Sequence, residues 1–458
     1  MPQKKFRLYY WIVLAFLKKY ALYVIGSFFI TSIVIALYIF FSREIIQLFA
    51  TNTQRVGLSG AYTLDNLPRE VIDVITVPLF VQKVDGTYES DIVKSYSYNS
   101  DFTKYELTLH RDLVYTDGTP FTSHDIPFVF KDVTISYPTP EKILFELSKP
   151  FPLFISYLAK PVYSTNPFRG VKGEYILTQV RYVRGGDRLE KIVLSPLMVN
   201  KPKLVFRFYR SEADLITAYK LREIDTFSTT GSIVTETFSE WSDTKTTQTS
   251  DFKRVLALFF DMEHPILKER DARMALYGSI PVTLLEQYGN IAVSPISPLS
   301  VNYDPTIPRI AENPEVNRAI LKKFFSEATE SAHLKLATSL ELINLAHTIK
   351  DVVEGASGTI TVDVEGLRPG ERADMILGMW DIPSDVNQYF MWHSSQKGRS
   401  NITRYENPKV DKLLEDYRAT DSASMQKELL IEFQNKIVDD APAVFLYYPY
   451  IFTVTRNK

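Results

Sequence analysis

Residues 117–126, DGTPFTSHDI, say more about how this chain folds than any other stretch of it. The opening Asp-Gly pair favours a tight turn. Thr122 or Ser123 is a good N-cap residue. Asp125 then falls in the first helical turn, where a carboxylate meets the positive end of the helix dipole. The pattern therefore predicts a turn that leads directly into a helix.

Periodic patterns elsewhere predict a mixture of strands and helices. Between 91 and 114 apolar and polar residues alternate around a turn at 99–101, which is typical of two paired strands. Gly-Gly-Asp at 185–187 predicts a hairpin turn. The remaining predicted strands are 56–58, 137–145, 204–209, 224–227, 254–260 and 444–448, and the predicted helices are 67–80, 211–221, 272–276, 317–325, 340–353, 408–417 and 424–438. This alternation indicates a mixed α/β architecture.

The uncharged run 21–41 predicts a membrane-spanning helix. At about 1.5 Å per residue it would be roughly 31 Å long, close to the hydrocarbon thickness of a bilayer. Basic residues precede it at positions 4, 5, 7, 18 and 19, so the N-terminus should be cytoplasmic and the main part extracytoplasmic. A cleavable signal peptide is the alternative, but the run is long for one and no A-x-A site follows. We expect an uncleaved anchor at 20–42, after a cytoplasmic and interfacial segment at 1–19.

Composition argues against several classes of function. The formal net charge of −2 gives no indication of nucleic acid as a partner. There is no cysteine, which excludes disulfides, thiolate metal sites and a lipidated Cys anchor. The six histidines form no H-x-x-x-H pair, and no Walker loop, G-x-S-x-G elbow or G-x-G-x-x-G fingerprint is present. We therefore expect a protein without metal, cofactor or catalytic activity.

Residues 117–126 resemble the D-G-T-P-F/L-T-A-x-D-V pattern of the family 5 extracellular solute-binding proteins. These are the dipeptide- and oligopeptide-binding components of ABC importers. The preceding KYELTLHR at 104–111 is similar to the strand that leads into the family's motif. Further blocks agree in order: GEYIL at 173–177, REID at 222–225 with Arg222 in place of the family's Gly, DARMAL at 271–276, WHSSQ at 392–396 with Asn401 and Tyr405, NP at 407–408, VDKLL at 410–414, and DAPAVFLY at 440–447. We expect these blocks to have structural roles.

The resemblance implies an α/β fold of the periplasmic-binding-protein type, class II, cluster C. It would be a two-lobed clamshell with an extra subdomain, preceded here by the one transmembrane helix. Lobe I would comprise 54–70, 171–255 and 437–458, the subdomain inserted in it 71–170, and lobe II 256–436. The solute would lie in the cleft between the lobes and be enclosed by hinge closure.

The resemblance also implies binding without covalent chemistry. A monomeric, membrane-anchored protein at the cell membrane would capture peptides or similar small solutes outside the cytoplasm and deliver them to ABC permease subunits. One alternative keeps the clamshell fold but serves as a sensory or interaction module, or as a chaperone-like binder of extended chains. A further alternative is a hydrolase that uses Asp381 and Asp385 as an acid/base pair.

Peptide-binding members of the family hold the ligand's ammonium group with an Asp that follows a Gly-Trp pair. The matching stretch here is 377–389, and alignment on the following Ser-Ser pair places the ammonium position near Ile382. Asp381 could serve after a shift of one residue. The candidate ligand contacts are Tyr62, Trp380, Asp381, Asp385 and Tyr389. Trp380 and Tyr389 would supply aromatic walls and an Asp the cation contact; the alternatives are core positions for the rings and a turn for Asp385.

Overall fold

The computed structural model describes residues 53–457 except 84–86, 131, 310–311, 329–332 and 365–371, together with scattered residues between 10 and 32. Within this part of the chain, we find no helix with the length and apolar character that a bilayer crossing needs. The predicted span 21–41 lies largely outside the described residues.

The strands follow one another along the chain as β1 (Thr53–Ser59), β2 (Val81–Gln82), β3 (Tyr88–Glu89), β4 (Val93–Tyr98), β5 (Lys104–Leu109), β6 (Val133–Thr139), β7 (Lys142–Leu147), β8 (Tyr163–Thr165), β9 (Phe168–Gly170), β10 (Tyr175–Tyr182), β11 (Leu189–Pro196), β12 (Lys203–Tyr209), β13 (Thr226–Thr229), β14 (Thr244–Ser250), β15 (Arg254–Phe260), β16 (Gly289–Ile291), β17 (His333–Ala337), β18 (Thr359–Asp363), β19 (Met375–Asp381) and β20 (Ala443–Arg456).

The α-helices are α1 (Arg69–Ile75), α2 (Phe154–Tyr157), α3 (Glu212–Lys220), α4 (Ile233–Thr237), α5 (Arg270–Tyr277), α6 (Val282–Leu285), α7 (Pro314–Glu327), α8 (Ile343–Gly355), α9 (Gln388–Trp392), α10 (Pro408–Ala419) and α11 (Ala423–Asp440).

The long strand β20 belongs to two sheets. Its beginning pairs with β15, and its end pairs with β13 and β14. From β13 the first sheet continues through β1, β12 and β11 to β10, and from β15 the second continues through β19 and β17 to β18. The chain also passes from one sheet to the other between β14 and β15. These crossings join two lobes, which we call the first and second lobe after their sheets.

A smaller sheet, in the order β4-β5-β7-β6, is inserted between β1 and β10 of the first lobe. It has a hydrophobic core of its own, in which Tyr105, Leu107 and Phe145 are almost fully buried. We call this part the inserted subdomain. The residue boundaries of the two lobes and of the inserted subdomain, as predicted from the sequence, stay a prediction.

The motif 117–126 forms the expected turn but only a short helix. The carboxylate of Asp117 accepts hydrogen bonds from the Thr119 amide at 2.9 Å and hydroxyl at 2.6 Å, and these bonds hold its pKa below the usual range. Asp125 accepts a hydrogen bond from the Thr122 amide at 2.7 Å, so Thr122 is the cap. The helix is a single 3-10 turn, Ser123–Asp125. Pro127, which lacks an amide donor, follows it and disfavours continuation.

Most predicted elements are present, and two differ from the prediction because of proline. The helix predicted over 67–80 ends at Ile75, since Pro78 disfavours helical backbone at the residue before it. The strand predicted over 137–145 is instead the hairpin of β6 and β7, with Pro140 in its turn. In both cases apolar periodicity continued across a residue that ends the element.

The block 392–414 forms a hydrogen-bonded module of the second lobe. The Trp392 indole is buried and donates to the side-chain oxygen of Gln388 at 2.8 Å. Asp411, in the first turn of α10, accepts from the Ser394 amide at 2.8 Å. The buried Asn401 amide donates to the Tyr405 carbonyl at 2.9 Å. These contacts give the block the structural role expected of it.

Candidate functional site

The beginning of β15 and the end of β19 place opposite charges side by side at a crossing between the lobes. Arg254 is the register partner of Asp381. In antiparallel strands such partners have Cβ atoms about 4.5–5.5 Å apart on the same face. Arg254 already donates to Asp251 at 2.7 Å. Asp381 is exposed, and no described residue, Arg254 included, donates a hydrogen bond to its carboxylate. Its charge is therefore available to a ligand.

Tyr62 of the first lobe lies close to the same crossing. Its hydroxyl donates to the Ser59 carbonyl at 3.1 Å, and its ring packs on Phe208 with centroids 5.5 Å apart. Burial and the charge of Glu70 raise the pKa of Tyr62, whereas the positive charge of Arg254 lowers it. The role of Tyr62 as a ligand contact opposite Asp381 stays a prediction.

Trp380 precedes Asp381 on β19 and is half-buried. Its ring packs against Phe259 of the neighbouring strand β15, with centroids 5.2 Å apart. Part of the indole therefore belongs to the hydrophobic core, which was the alternative to a ligand-binding wall. The remaining exposed part can still contact a ligand, and the wall role stays a prediction.

Asp385 holds two segments of the second lobe together. One of its carboxylate oxygens accepts from the Ser300 hydroxyl at 2.6 Å and from the Asn302 amide at 2.7 Å. Burial raises the pKa of Asp385, and these two donors act in the opposite direction. The pKa of Tyr88 is raised to about 12, mainly by burial and in addition by the charge of Asp385. Tyr88 belongs to the inserted subdomain. The contacts of Asp385 are therefore long-range and structural, and its role in ligand binding stays a prediction.

Tyr389 is packed between two side chains of its own lobe. Its ring stacks on the His393 ring, with centroids 4.2 Å apart. The guanidinium of Arg418, which belongs to α10, lies 4.2 Å from the centroid of the Tyr389 ring. Its hydroxyl is 3.2 Å from that of Ser395. This surrounding fits the core alternative better than a freely accessible wall.

Arg418 also contacts the inserted subdomain, which sequence reasoning missed. Its guanidinium lies 4.9 Å from the ring centroid of Phe151 and 5.9 Å from that of Phe390. Tyr157 packs edge-on against Phe390 at 6.2 Å. We call these four residues and Tyr389 the Arg418 cluster. It joins the inserted subdomain to the second lobe, and of its members only Tyr389 was marked by the sequence.

Replacing Arg418 by alanine should weaken solute binding by about 5- to 30-fold, because a desolvated cation–π contact contributes about 1–2 kcal/mol to the closed arrangement. The melting temperature should change little, since each lobe keeps its own core. Calorimetry with a mixture of short free-amino peptides measures the loss. Lys412→Ala on the same helix is the control, because Lys412 is 69% exposed and pairs only with Asp416 among the described residues. Equal losses in both variants would contradict this role.

Comparison with known proteins comes from sequence and from structure. No protein-family model matches the chain. The chain is 25% identical to the oligopeptide-binding protein AppA of Bacillus subtilis over 217 residues, which is 41% of this chain and 40% of AppA. It is 23% identical to the probable D,D-dipeptide-binding periplasmic protein DdpA of Escherichia coli over 462 aligned positions, covering 85% of this chain and 86% of DdpA.

Solved structures of the same architecture superpose on nearly the whole chain. NikZ from Campylobacter jejuni, in complex with Ni(L-His), has a TM-score of 0.72 at 17% identity and covers 89% of this chain and 94% of its own. AppA from Bacillus subtilis, in complex with a nonapeptide, has a TM-score of 0.71 at 16% identity and covers 88% of this chain and 94% of its own. DppA from Helicobacter pylori, in complex with the peptide STSA, has a TM-score of 0.70 at 16% identity and covers 89% of this chain and 94% of its own.

The fold is therefore the two-lobed, mixed α/β fold of the periplasmic binding proteins. The sequence resemblance to the family 5 extracellular solute-binding proteins is confirmed by these matches. Both curated relatives are binding proteins and not enzymes, which agrees with the prediction that this chain has no catalytic activity.

Proposed function

We propose that the protein is an extracytoplasmic solute-binding protein that captures peptides or similar small solutes and delivers them to an ABC importer. The observation that carries the proposal is the similarity to DdpA, which covers 85% of this chain and 86% of DdpA. A similarity of this extent is longer than either lobe alone and must include parts of both. The run 21–41 would anchor the protein in the membrane, and the folded part would act as a monomer outside the cytoplasm.

A peptide is the favoured solute because the candidate site offers charges of both signs. A short peptide with free ends is a zwitterion, and Asp381 is exposed beside Arg254. Asp381 would accept the ammonium group, and Arg254 would lie close to anionic groups of the ligand. The two curated relatives, named for oligopeptides and dipeptides, support the same class.

Binding would be coupled to closure of the lobes. A ligand shifts a conformational equilibrium only by its difference in affinity for the two states. A solute that touches Asp381 in the second lobe and Tyr62 in the first gains its full set of contacts only when the lobes approach. The Arg418 cluster would add protein–protein contacts to the same state. Permease subunits would then recognise the closed form.

Asp381→Ala should weaken binding of free-amino peptides about tenfold or more, because a charge-assisted hydrogen bond contributes about 1.5–3 kcal/mol. Melting should be nearly unchanged, since Asp381 has no partner among the described residues to lose. Calorimetry with a mixture of short peptides measures the affinity, and the same mixture with acetylated amino ends is the control. The parent should prefer free over acetylated peptides, and the variant should not. Equal affinity of parent and variant for the free peptides would remove Asp381 from the site.

Delivery is tested separately from binding. Full-length protein in detergent should retain ABC permease subunits from a membrane extract of its host when loaded with the peptide mixture. Retention should fall when no peptide is added, because the open form lacks the surface that both lobes present together. A protein that binds peptides but never retains a permease would favour the sensory or interaction role.

A further inference from the structure

The loop between β11 and β12 exposes consecutive apolar side chains. Leu197 is 51% exposed, Met198 57% and Val199 92%. Single exposed apolar residues are common on soluble proteins, but contiguous ones mark contacts with a protein or a membrane. No other described part of the chain covers this tip.

The position of the loop indicates what it contacts. β1 and β12 are parallel, and Thr53 is the register partner of Lys203. The loop therefore lies at the amino end of β1, where the chain enters the first lobe. The 52 residues before Thr53 contain the uncharged run 21–41, which we propose as the anchor.

A second exposed apolar side chain lies at the same edge. Leu221, between α3 and β13, is 66% exposed. This segment is fastened to β1, because the guanidinium of Arg55 donates to the Arg222 carbonyl at 2.7 Å and the Asp225 amide donates to the Arg55 carbonyl at 2.8 Å. β12 and β13 flank β1, and their first residues pair with Thr53 and Val56. With strands about 4.8 Å apart and a rise of about 3.3 Å per residue, the two loops begin about 14 Å from each other.

We propose that these loops form a juxtamembrane face, Leu197–Val199 with Leu221, that rests in the interfacial region of the lipid bilayer. The inference rests on the proposed anchor, because the anchor would bring this edge to the membrane. Apolar side chains at an interface bury area among headgroups and acyl chains. Two of the nearby basic residues are paired with acidic ones, Lys201 with Glu174 and Arg222 with Asp243.

The juxtamembrane face orients the protein. β1 spans about 20 Å between its ends at the rise of an extended strand. Its carboxyl end leads to Tyr62 and the candidate site, whereas its amino end lies at the juxtamembrane face. With this face on the bilayer, the site points away from the membrane and is open to solute. Transfer to a permease then requires the first lobe to leave the lipid surface and tilt.

The absence of cysteine allows a direct test in the full chain. Val199→Cys is labelled with an environment-sensitive fluorophore, and the protein is reconstituted in vesicles that contain anionic phospholipid. Val129→Cys is the matched control, because Val129 is also a valine, is 90% exposed and lies in the inserted subdomain. The label at 199 should shift to shorter wavelength and be quenched by lipid-borne quenchers, while the label at 129 should do neither.

The outcomes separate this inference from the proposed anchor. If the protein floats with the vesicles but the label at 199 stays exposed to water, the juxtamembrane face is overturned and the anchor is not. A label that is shielded from soluble quenchers and also from lipid-borne ones would overturn it in favour of a protein partner. A protein that does not float with the vesicles would contradict the proposed anchor. In that case an excess of vesicles should still shift the emission of the label at 199 to shorter wavelength, and no shift would contradict the juxtamembrane face as well.

Discussion

Arg273→Met is expected to lower the free energy of unfolding by about 3–5 kcal/mol, because it removes a buried cation and leaves its partners unsatisfied. Arg273 is 2% exposed. Its guanidinium donates to the carbonyls of Leu267 at 2.6 Å and Ala441 at 2.8 Å, and also to that of Asp440. Burial lowers its pKa to about 10, so it remains charged at neutral pH. Methionine fills much of the space but supplies no donor.

The measurement is urea denaturation followed by circular dichroism. Arg270→Met on the same helix is the control, since Arg270 is 46% exposed and forms an ion pair with Asp439 at 2.7 Å. Exposed ion pairs contribute about 0–1 kcal/mol, so this variant should lose little. Similar losses in the two variants would contradict the role of Arg273. The prediction also explains why DARMAL at 271–276 and DAPAVFLY at 440–447 occur together: the arginine of the first block binds carbonyls at the start of the second.

Asp385→Ala is expected to cost about 2–4 kcal/mol, because the Ser300 hydroxyl and the Asn302 amide both lose their acceptor. Asp385→Asn keeps an acceptor oxygen and should cost much less. Urea denaturation of both variants measures the difference. If alanine and asparagine cost the same, the two hydrogen bonds do not hold these segments together.

The pH dependence of Asp385→Asn follows from the raised pKa of Asp385. A carboxyl group whose pKa is higher in the folded state favours folding below its unfolded pKa of about 4, and this contribution is lost as the pH rises through the folded value. Asparagine stays neutral throughout. The stability of the variant relative to the parent should therefore increase from pH values below about 4 to neutral pH. A difference that is independent of pH would show that burial does not penalise this charge.

The fold was predictable because its signals are local. The alternation in 104–109 corresponds to the face that β5 buries in the inserted subdomain, whereas only Val93 of β4 is buried. The helical periods in 408–417 and 424–438 correspond to buried faces in the second lobe, and the order of motif blocks indicated the connectivity. Element ends were less predictable where apolar residues run through a proline, as at Pro78 and Pro140. Periodicity indicates which residues are buried, whereas these two elements end where a proline restricts the backbone.

Of the candidate contacts, Asp381 could be named from the resemblance, and the structure places it exposed beside Arg254. The ligand role of each candidate stays a prediction. The Arg418 cluster was not predictable, because it joins Phe151 to a side chain more than 250 positions further along the chain. Contacts of this kind depend on how the inserted subdomain lies against the second lobe, and a single sequence has no local pattern for that.

Solute should draw the two lobes together, and the distance between them measures this closure directly. Spin labels at Asp187→Cys in the first lobe and Leu340→Cys in the second are both on exposed positions, and the natural chain contributes no cysteine of its own. Pulsed electron paramagnetic resonance on the full chain should give a shorter and narrower distance distribution when the free-amino peptide mixture is added. An unchanged distribution, at concentrations where calorimetry shows the peptides bound, would contradict the account.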